Sequence, residues 1–203
     1  MRRSVECAAA LVMLVVLAPV LIAIGVAVRC DSRGPALFRQ IRVGRDGRPF
    51  EILKFRTMAQ PGGDRTGGAE PAPEVTVAGD PRITRVGRAL RRRKLDELPQ
   101  LVNVLRGEMA LVGPRPEVPR YVALWPDRLR QEILSVRPGV TDPTSLELRH
   151  EEGVLACQPE PERYYREVLL PRKATMYASY VRTRCARDDV RILARTVQLA
   201  LRG

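Results

Sequence analysis

In the stretch 91–101, RRRKLDELPQL, two adjacent carboxylates, Asp96 and Glu97, follow directly on four cations. Carboxylates in a positive field suit nucleophilic or acid–base work on an anionic substrate, because the field keeps them ionised and draws the substrate in. On a solvated helix face the same pattern is ordinary charge alternation. A further cation stands out in GPRP, where Pro114 and Pro116 restrict the backbone around Arg115 and suit it to a fixed anchoring point. Other chemistries have little to build on. His150, the only histidine, lies beside Glu151 and Glu152 in RHEEG and reads as a surface residue; an H-E-x-x-H site is excluded. There is no G-x-x-x-x-G-K-[ST] loop and no G-x-G-x-x-G turn. Cys7, Cys30, Cys157 and Cys185 are far apart and form no zinc pattern, so they read as free thiols. Carboxylates and cations must carry whatever chemistry there is.

The elements around the acids follow from local patterns. ITRVGRALRRRK reads as a basic helix, and a second helix is expected from Glu97 to Arg106, stopped by Gly107. Pro99 is compatible with that helix if Asp96 is its N-cap, since a first-turn proline loses no intrahelical bond. Asp96 would then be held ionised by the helix dipole and the exposed N–H groups. MALVGPRPE reads as a short apolar strand running into the Arg115 turn. FRQIRVGRDGRPFEILKFRTM reads as a β-hairpin turning at Asp46-Gly47, with Phe50, Ile52 and Lys54 on one side of the strand and Glu51, Leu53 and Phe55 on the other. Residues 60–81 are rich in Gly, Pro and Ala and read as a loop. Near the C-terminus a helix is expected with Val190, Leu193, Ala194, Val197 and Leu201 on one face; that stripe either packs on the core or lies on a membrane.

The N-terminal run 7–28 has no charge and, as a helix, would be about 33 Å long, enough to cross a bilayer core. No A-x-A site follows it, which argues against a cleaved signal. Arg2 and Arg3 precede the run and Arg29, Arg33, Arg39 and Arg42 follow it, so both flanks look cytoplasmic. Pro19 interrupts the middle. A helix that enters and leaves on one face and a helix that spans both fit these facts. The 203 residues carry 35 Lys and Arg against 23 Asp and Glu, a formal charge of +12. An anionic partner is implied, whether nucleic acid, an acidic membrane or a phosphorylated small molecule; aromatics at 4% and the lack of a recognisable motif argue against nucleic acid.

Segments RRSVECAAALVMLVVLAPVLIAI, DSRGPALFRQIRVGRDGRPFEILKFRTM, DPRITRVGRALRRRKLDELPQLVNVLRGEMALVGPRPE and RPGVTD stand in the order they take in the bacterial sugar transferase family, the small monotopic phosphoglycosyl transferases, which this chain resembles over nearly its whole length. The resemblance implies an α+β fold: a re-entrant membrane helix over 1–30, broken at Pro19, and a mostly helical cytoplasmic catalytic domain over 31–203 with a β-hairpin and amphipathic interfacial helices. It implies transfer of a sugar 1-phosphate from a UDP-sugar to undecaprenyl phosphate, with release of UMP, at the cytoplasmic face of the bacterial plasma membrane. Asp96 and Glu97 would be the catalytic dyad, with Asp96 also holding Mg²⁺, and Arg91 and Arg115 would bind substrate. The role of Glu97, proton relay or orienting group, and self-association into a homodimer are left open. The chain departs from the family at three places: Ala18 replaces a serine before the membrane proline, DPTSLELR replaces G-W-A-Q-V-N-G-R over 142–149, and Tyr177 replaces an acidic residue.

Overall fold

A computed structural model describes residues 3–59 and 75–202. Most of the expected loop 60–81 therefore lies outside the described residues; its end forms turns leading to Ile83, which bridges Met58. The architecture is α+β, with many short helices and, among the described residues, two small two-stranded sheets.

The apolar N-terminus forms two helices, α1 (Arg3–Val16) and α2 (Ala18–Asp31), bent by 63° at Leu17. No single helix among the described residues is long and apolar enough to cross a membrane, but the bent pair passes that test together. The bend falls two residues before Pro19 because a proline ring clashes with the carbonyl four residues back and cannot bond to it. Both ends of the pair are fastened to the rest of the chain. At the start, Arg3 donates to the Val104 and Leu105 carbonyls, and buried Glu6 pairs with Arg137 at 3.0 Å. At the end, Arg56 donates to the Val28 and Ser32 carbonyls. In between, Leu11, Val12, Val15, Val16, Val20, Ile22 and Val26 are exposed, a continuous apolar surface of the kind that marks an interaction face.

The hairpin is as expected. Strands β1 (Leu37–Val43) and β2 (Pro49–Phe55) pair antiparallel from Leu37↔Phe55 to Val43↔Pro49. Asp46 and Gly47 both take positive φ, 58° and 74°, which Asp tolerates and Gly adopts freely. Helix α3 (Arg85–Arg92) is capped twice, by Thr84 Oγ1 on the Gly87 N–H and by Asp31 on the Val86 N–H. Gly87 lies against the backbone of Thr57: a Cβ there would sit 2.1 Å from the Thr57 carbonyl oxygen. Gly87→Ala is accordingly expected to destabilise the fold by about 1–3 kcal/mol, lowering Tm by roughly 2–4 °C per kcal/mol; an unchanged melting curve would show that this contact relaxes freely.

A 3-10 turn over Leu95–Glu97 precedes α4 (Gln100–Arg106), which ends at Gly107 in the left-handed region. Asn103, fully buried, accepts from the Leu53 N–H and donates to the Glu51 carbonyl, pinning α4 to the edge of β2. Strand β3 (Ala110–Val112) leads into the Arg115 turn, and α5 (Pro119–Val122) and α6 (Asp127–Leu134) follow. Strand β4 (Gly139–Thr141) pairs parallel with β3, so the RPG and GPRP segments meet: the Gly139 N–H donates to the Pro114 carbonyl at 2.9 Å. Short helices α7 (Pro143–Glu147), α8 (Glu151–Ala156) and α9 (Pro161–Tyr164) come next. A π turn at Tyr165–Leu169 joins α9 to α10 (Leu170–Thr183), next to Pro171, whose missing N–H disturbs the regular ladder.

The last helix, α11 (Ala186–Arg202), divides the expected stripe between core and surface. Ile192 and Leu193 pack against the core and Thr196 bonds to Thr141 at 2.7 Å, while Val190, Val197 and Leu201 of the expected stripe are exposed. The helix therefore turns a mixed face inward and much of its apolar stripe outward. His150 is exposed, as expected, and no cysteine is in a disulfide.

Candidate active site

The 3-10 turn carrying both acids is entered through Lys94 in the left-handed conformation, φ 57°. This overturns the expected N-cap. Pro99, not Asp96, stands at the N-cap position of α4 and has no side-chain cap bond. Leading into α4 the backbone is held by i→i+3 bonds, Glu97 N–H to the Lys94 carbonyl, Leu98 N–H to the Leu95 carbonyl and Leu101 N–H to the Leu98 carbonyl, in place of an α-helical ladder.

The two acids differ in every respect that matters for chemistry. Glu97 Oε1 accepts from Arg115 Nη2 and, at 3.2 Å, from Lys54 Nζ, while Oε2 accepts from Arg115 Nη1 at 3.1 Å, a bidentate clamp. Burial alone would raise its carboxyl, but Arg115 and Lys54 outweigh that and hold it well below its ordinary value. Asp96 is buried too, yet its Oδ1 has no hydrogen-bond partner. Burial, reinforced by the neighbouring Glu97 charge, pushes the Asp96 carboxyl upward against the pull of Lys54, Lys94 and Arg91. The expectation that a helix dipole keeps Asp96 ionised is thereby corrected: its anionic form depends on cations around it.

Asp96, Glu97 and Arg115 come together with Lys54, which sequence reasoning did not single out. The signal was present: Lys54 shares the strand face of Phe50 and Ile52, and a cation on a core-facing side needs a buried partner. Arg91 is placed differently. It donates to Thr57 Oγ1 at 3.3 Å and pairs with Glu152, reaching the dyad through its charge rather than through a bond. Arg91 and Arg115 both line a cavity of about 180 Å³ whose lining includes neither acid, and Arg115, which bonds Glu97, is its link to the dyad.

Lys54 gives the site a pH signature. Burial, with Arg115 and Arg42 adding to it against the pull of Glu97, lowers its pKa from 10.5 to about 8. Between those values the unfolded chain holds a proton that the folded chain has lost, so this group's contribution to stability rises with pH while its positive charge at the site disappears. Any activity needing that charge is expected to fall along a limb near pH 8, and Lys54→Arg, whose guanidinium stays charged, is expected to move the limb upward. A limb that stays put in the variant would assign it to another group.

A family model described as bacterial sugar transferase matches residues 1–203. The chain belongs to that family. Among curated proteins, the UDP-glucose:undecaprenyl-phosphate glucose-1-phosphate transferase of Caulobacter vibrioides is 44% identical over 144 residues, 69% of this chain and 51% of that protein. The protein of the same name from Escherichia coli K12 is 40% identical over 145 residues, 70% of this chain and 30% of its own. The UDP-N-acetylgalactosamine-undecaprenyl-phosphate N-acetylgalactosaminephosphotransferase of Aeromonas hydrophila is 39% identical over 146 residues, 69% of this chain and 32% of its own. The chain thus spans about half or less of the length of these relatives.

For a member of the bacterial sugar transferase family the donor set bears on metal binding. Among the described residues no group of three or more His, Cys, Asp or Glu is placed to hold a metal ion by itself. Mg²⁺ is commonly held by one or two carboxylates together with substrate phosphates and water. Asp96, with a buried and unpartnered oxygen, fits that demand as a single protein ligand.

Proposed function

We propose that this chain transfers a sugar 1-phosphate from a UDP-sugar to undecaprenyl phosphate, releasing UMP, through a phosphosugar held covalently on Asp96. The observation that carries the reading is the asymmetry of the dyad: Glu97 is consumed by Arg115 and Lys54, while Asp96 keeps an unpartnered oxygen. An Asp96 oxygen forms a bond to the sugar-linked phosphorus as the bond to the UMP oxygen breaks, and UMP leaves with that electron pair. An oxygen of undecaprenyl phosphate then attacks the same phosphorus, and the Asp96 carboxylate is regenerated. Arg91 and Arg115 hold the diphosphate and offset the charge that would repel the nucleophile. Glu97, kept anionic, orients Arg115 and Lys54 rather than carrying a proton. Asp96 would hold Mg²⁺, which when bound neutralises the diphosphate and eases departure of UMP.

The setting we propose is the cytoplasmic face of a bacterial plasma membrane, with residues 1–30 re-entrant and residues 31–203 outside the bilayer. The attachment of both ends of the α1–α2 pair to the same body supports this, because a helix crossing the membrane would carry its ends to opposite sides. The exposed residues Val190, Val197 and Leu201 of α11 would meet the interface. Single cysteines at Ser4 and Arg33, in a background lacking the four native ones, are expected to react with an impermeant reagent only from the cytoplasmic side; labelling from opposite sides would restore a spanning helix. The activity itself is tested by incubating detergent-solubilised chain with Mg²⁺, undecaprenyl phosphate and UDP-sugars. Multiple-turnover UMP release that requires the lipid acceptor is expected, and its absence with every donor would dismiss the reading.

A further inference from the structure

The cavity lined by Arg91 and Arg115 has walls the reaction so far leaves unused. Arg91 and Arg115 lie on it, so a diphosphate bound to them would send one of its two substituents inward. About 180 Å³ is below the roughly 300 Å³ at which sites begin to hold whole drug-sized ligands, so the space takes one end of a nucleotide sugar and not both.

The chemistry of the walls decides which end. Uracil needs a flat face to stack on and donors for its carbonyls. The two tyrosines of the wall lack a free face: Tyr121 and Tyr165 pack at 4.9 Å, Arg120 lies 4.7 Å over the Tyr121 ring and Lys173 4.9 Å over that of Tyr165. The polar groups suit hydroxyls instead. Glu151 bonds Lys173 and Glu152 bonds Arg91, each a single cation, which leaves acceptor positions on both carboxylates. Gln40 gives its carbonyl oxygen to Arg42, and its amide NH₂, a double donor, has no partner among the described residues. Beneath them Glu117, Tyr165 and Lys173 form a buried hydrogen-bonded floor, with Tyr165 donating to Glu117 at 3.0 Å.

We propose that this cavity receives the sugar ring of the donor, that Glu151, Glu152 and Gln40 read its hydroxyls, and that the group accepted is a hexosyl residue without a carboxylate. This rests on the transferase reading above. The restriction follows from the walls, where Arg42, Arg91 and Lys173 each already pair with an acid and an added carboxylate would be desolvated beside Glu117, Glu151 and Glu152.

The test uses the full chain in detergent with UDP-glucose, UDP-galactose, UDP-N-acetylgalactosamine and UDP-glucuronate as donors, and UMP as product inhibitor. Glu151→Gln keeps the side-chain shape and a carbonyl for Lys173. It is expected to lower kcat/KM for neutral donors tenfold or more and to change the ratio between the epimers UDP-glucose and UDP-galactose, with the UMP inhibition constant within twofold of wild type. Gln40→Ala, on the opposite wall, is expected to do the same and serves if the first variant does not fold. UDP-glucuronate should be at least tenfold poorer than the best neutral donor. Equal weakening of UMP would place the nucleotide in the cavity and overturn the proposal, as would unchanged donor ratios in both variants; efficient use of UDP-glucuronate would overturn the restriction to sugars without a carboxylate. Failure of the wild type to turn over any donor is a different outcome and removes the transferase reading itself.

Discussion

Asp96→Asn is expected to abolish UMP release, by more than about a thousandfold, while leaving the fold as stable as before or more so. Loss of a covalent nucleophile removes the first bond-forming step, and residual rates in such variants come only from the surrounding binding groups. The unusual half of the expectation is the stability. Asp96 is buried with an unpartnered Oδ1 and sits next to a second carboxylate, so its charge is a burden on the folded state. Asparagine has the same shape without that charge. Its carboxyl is raised in the folded chain, so the folded state binds protons more readily than the unfolded one and the ionised form lowers stability at neutral pH. Thermal melting at pH 7 beside a UMP-release assay checks both halves. A variant that melts well below wild type would mean that Asp96 makes bonds the site geometry does not contain.

Glu97→Gln, the same chemical change one residue along, is expected to be costly to the fold. Removing the anion leaves the half-buried Arg115 and Lys54 without their buried partner, a loss approaching the about 3–5 kcal/mol of a broken buried pair. Against a typical total stability of about 5–15 kcal/mol, that is a large fraction. Activity should fall as well, because Arg115 loses its bidentate anchor and no longer presents a fixed charge to the diphosphate. Denaturant titration and turnover measured on the folded fraction separate the two effects. Wild-type stability in Glu97→Gln would mean that Arg115 finds water or another acid at little cost.

The opposite expected behaviour of two neighbouring acids marks the limit of what the chain discloses locally. The hairpin was legible because a period of two and an Asp-Gly turn are short-range signals, and the broken apolar helix because Pro19 interrupts an uncharged run. The acids were legible as a pair, but their difference was not. Lys54 reaches Glu97 across 43 positions and Glu152 reaches Arg91 across 61, and no local pattern encodes such separations. Pro99 misled the assignment of the helix start because a first-turn proline and an N-cap proline look alike in sequence, and only the 3-10 bonding of the turn tells them apart. The destination of the α11 stripe stays open in the sequence because periodicity identifies an apolar face without saying what covers it. The Thr141–Thr196 bond and the packing of Ile192 and Leu193 turn one edge of the helix to the core and leave Val190, Val197 and Leu201 exposed.

The central claim is that Asp96 itself bonds to phosphorus. Wild-type chain is incubated with Mg²⁺ and a donor that it turns over, undecaprenyl phosphate is withheld, and the denatured protein is weighed intact and then mapped by peptide. One added sugar phosphate, located on Asp96 and discharged when undecaprenyl phosphate is supplied, is the predicted result. An adduct on another side chain, or none at all from a chain that forms product when the acceptor is present, would contradict it.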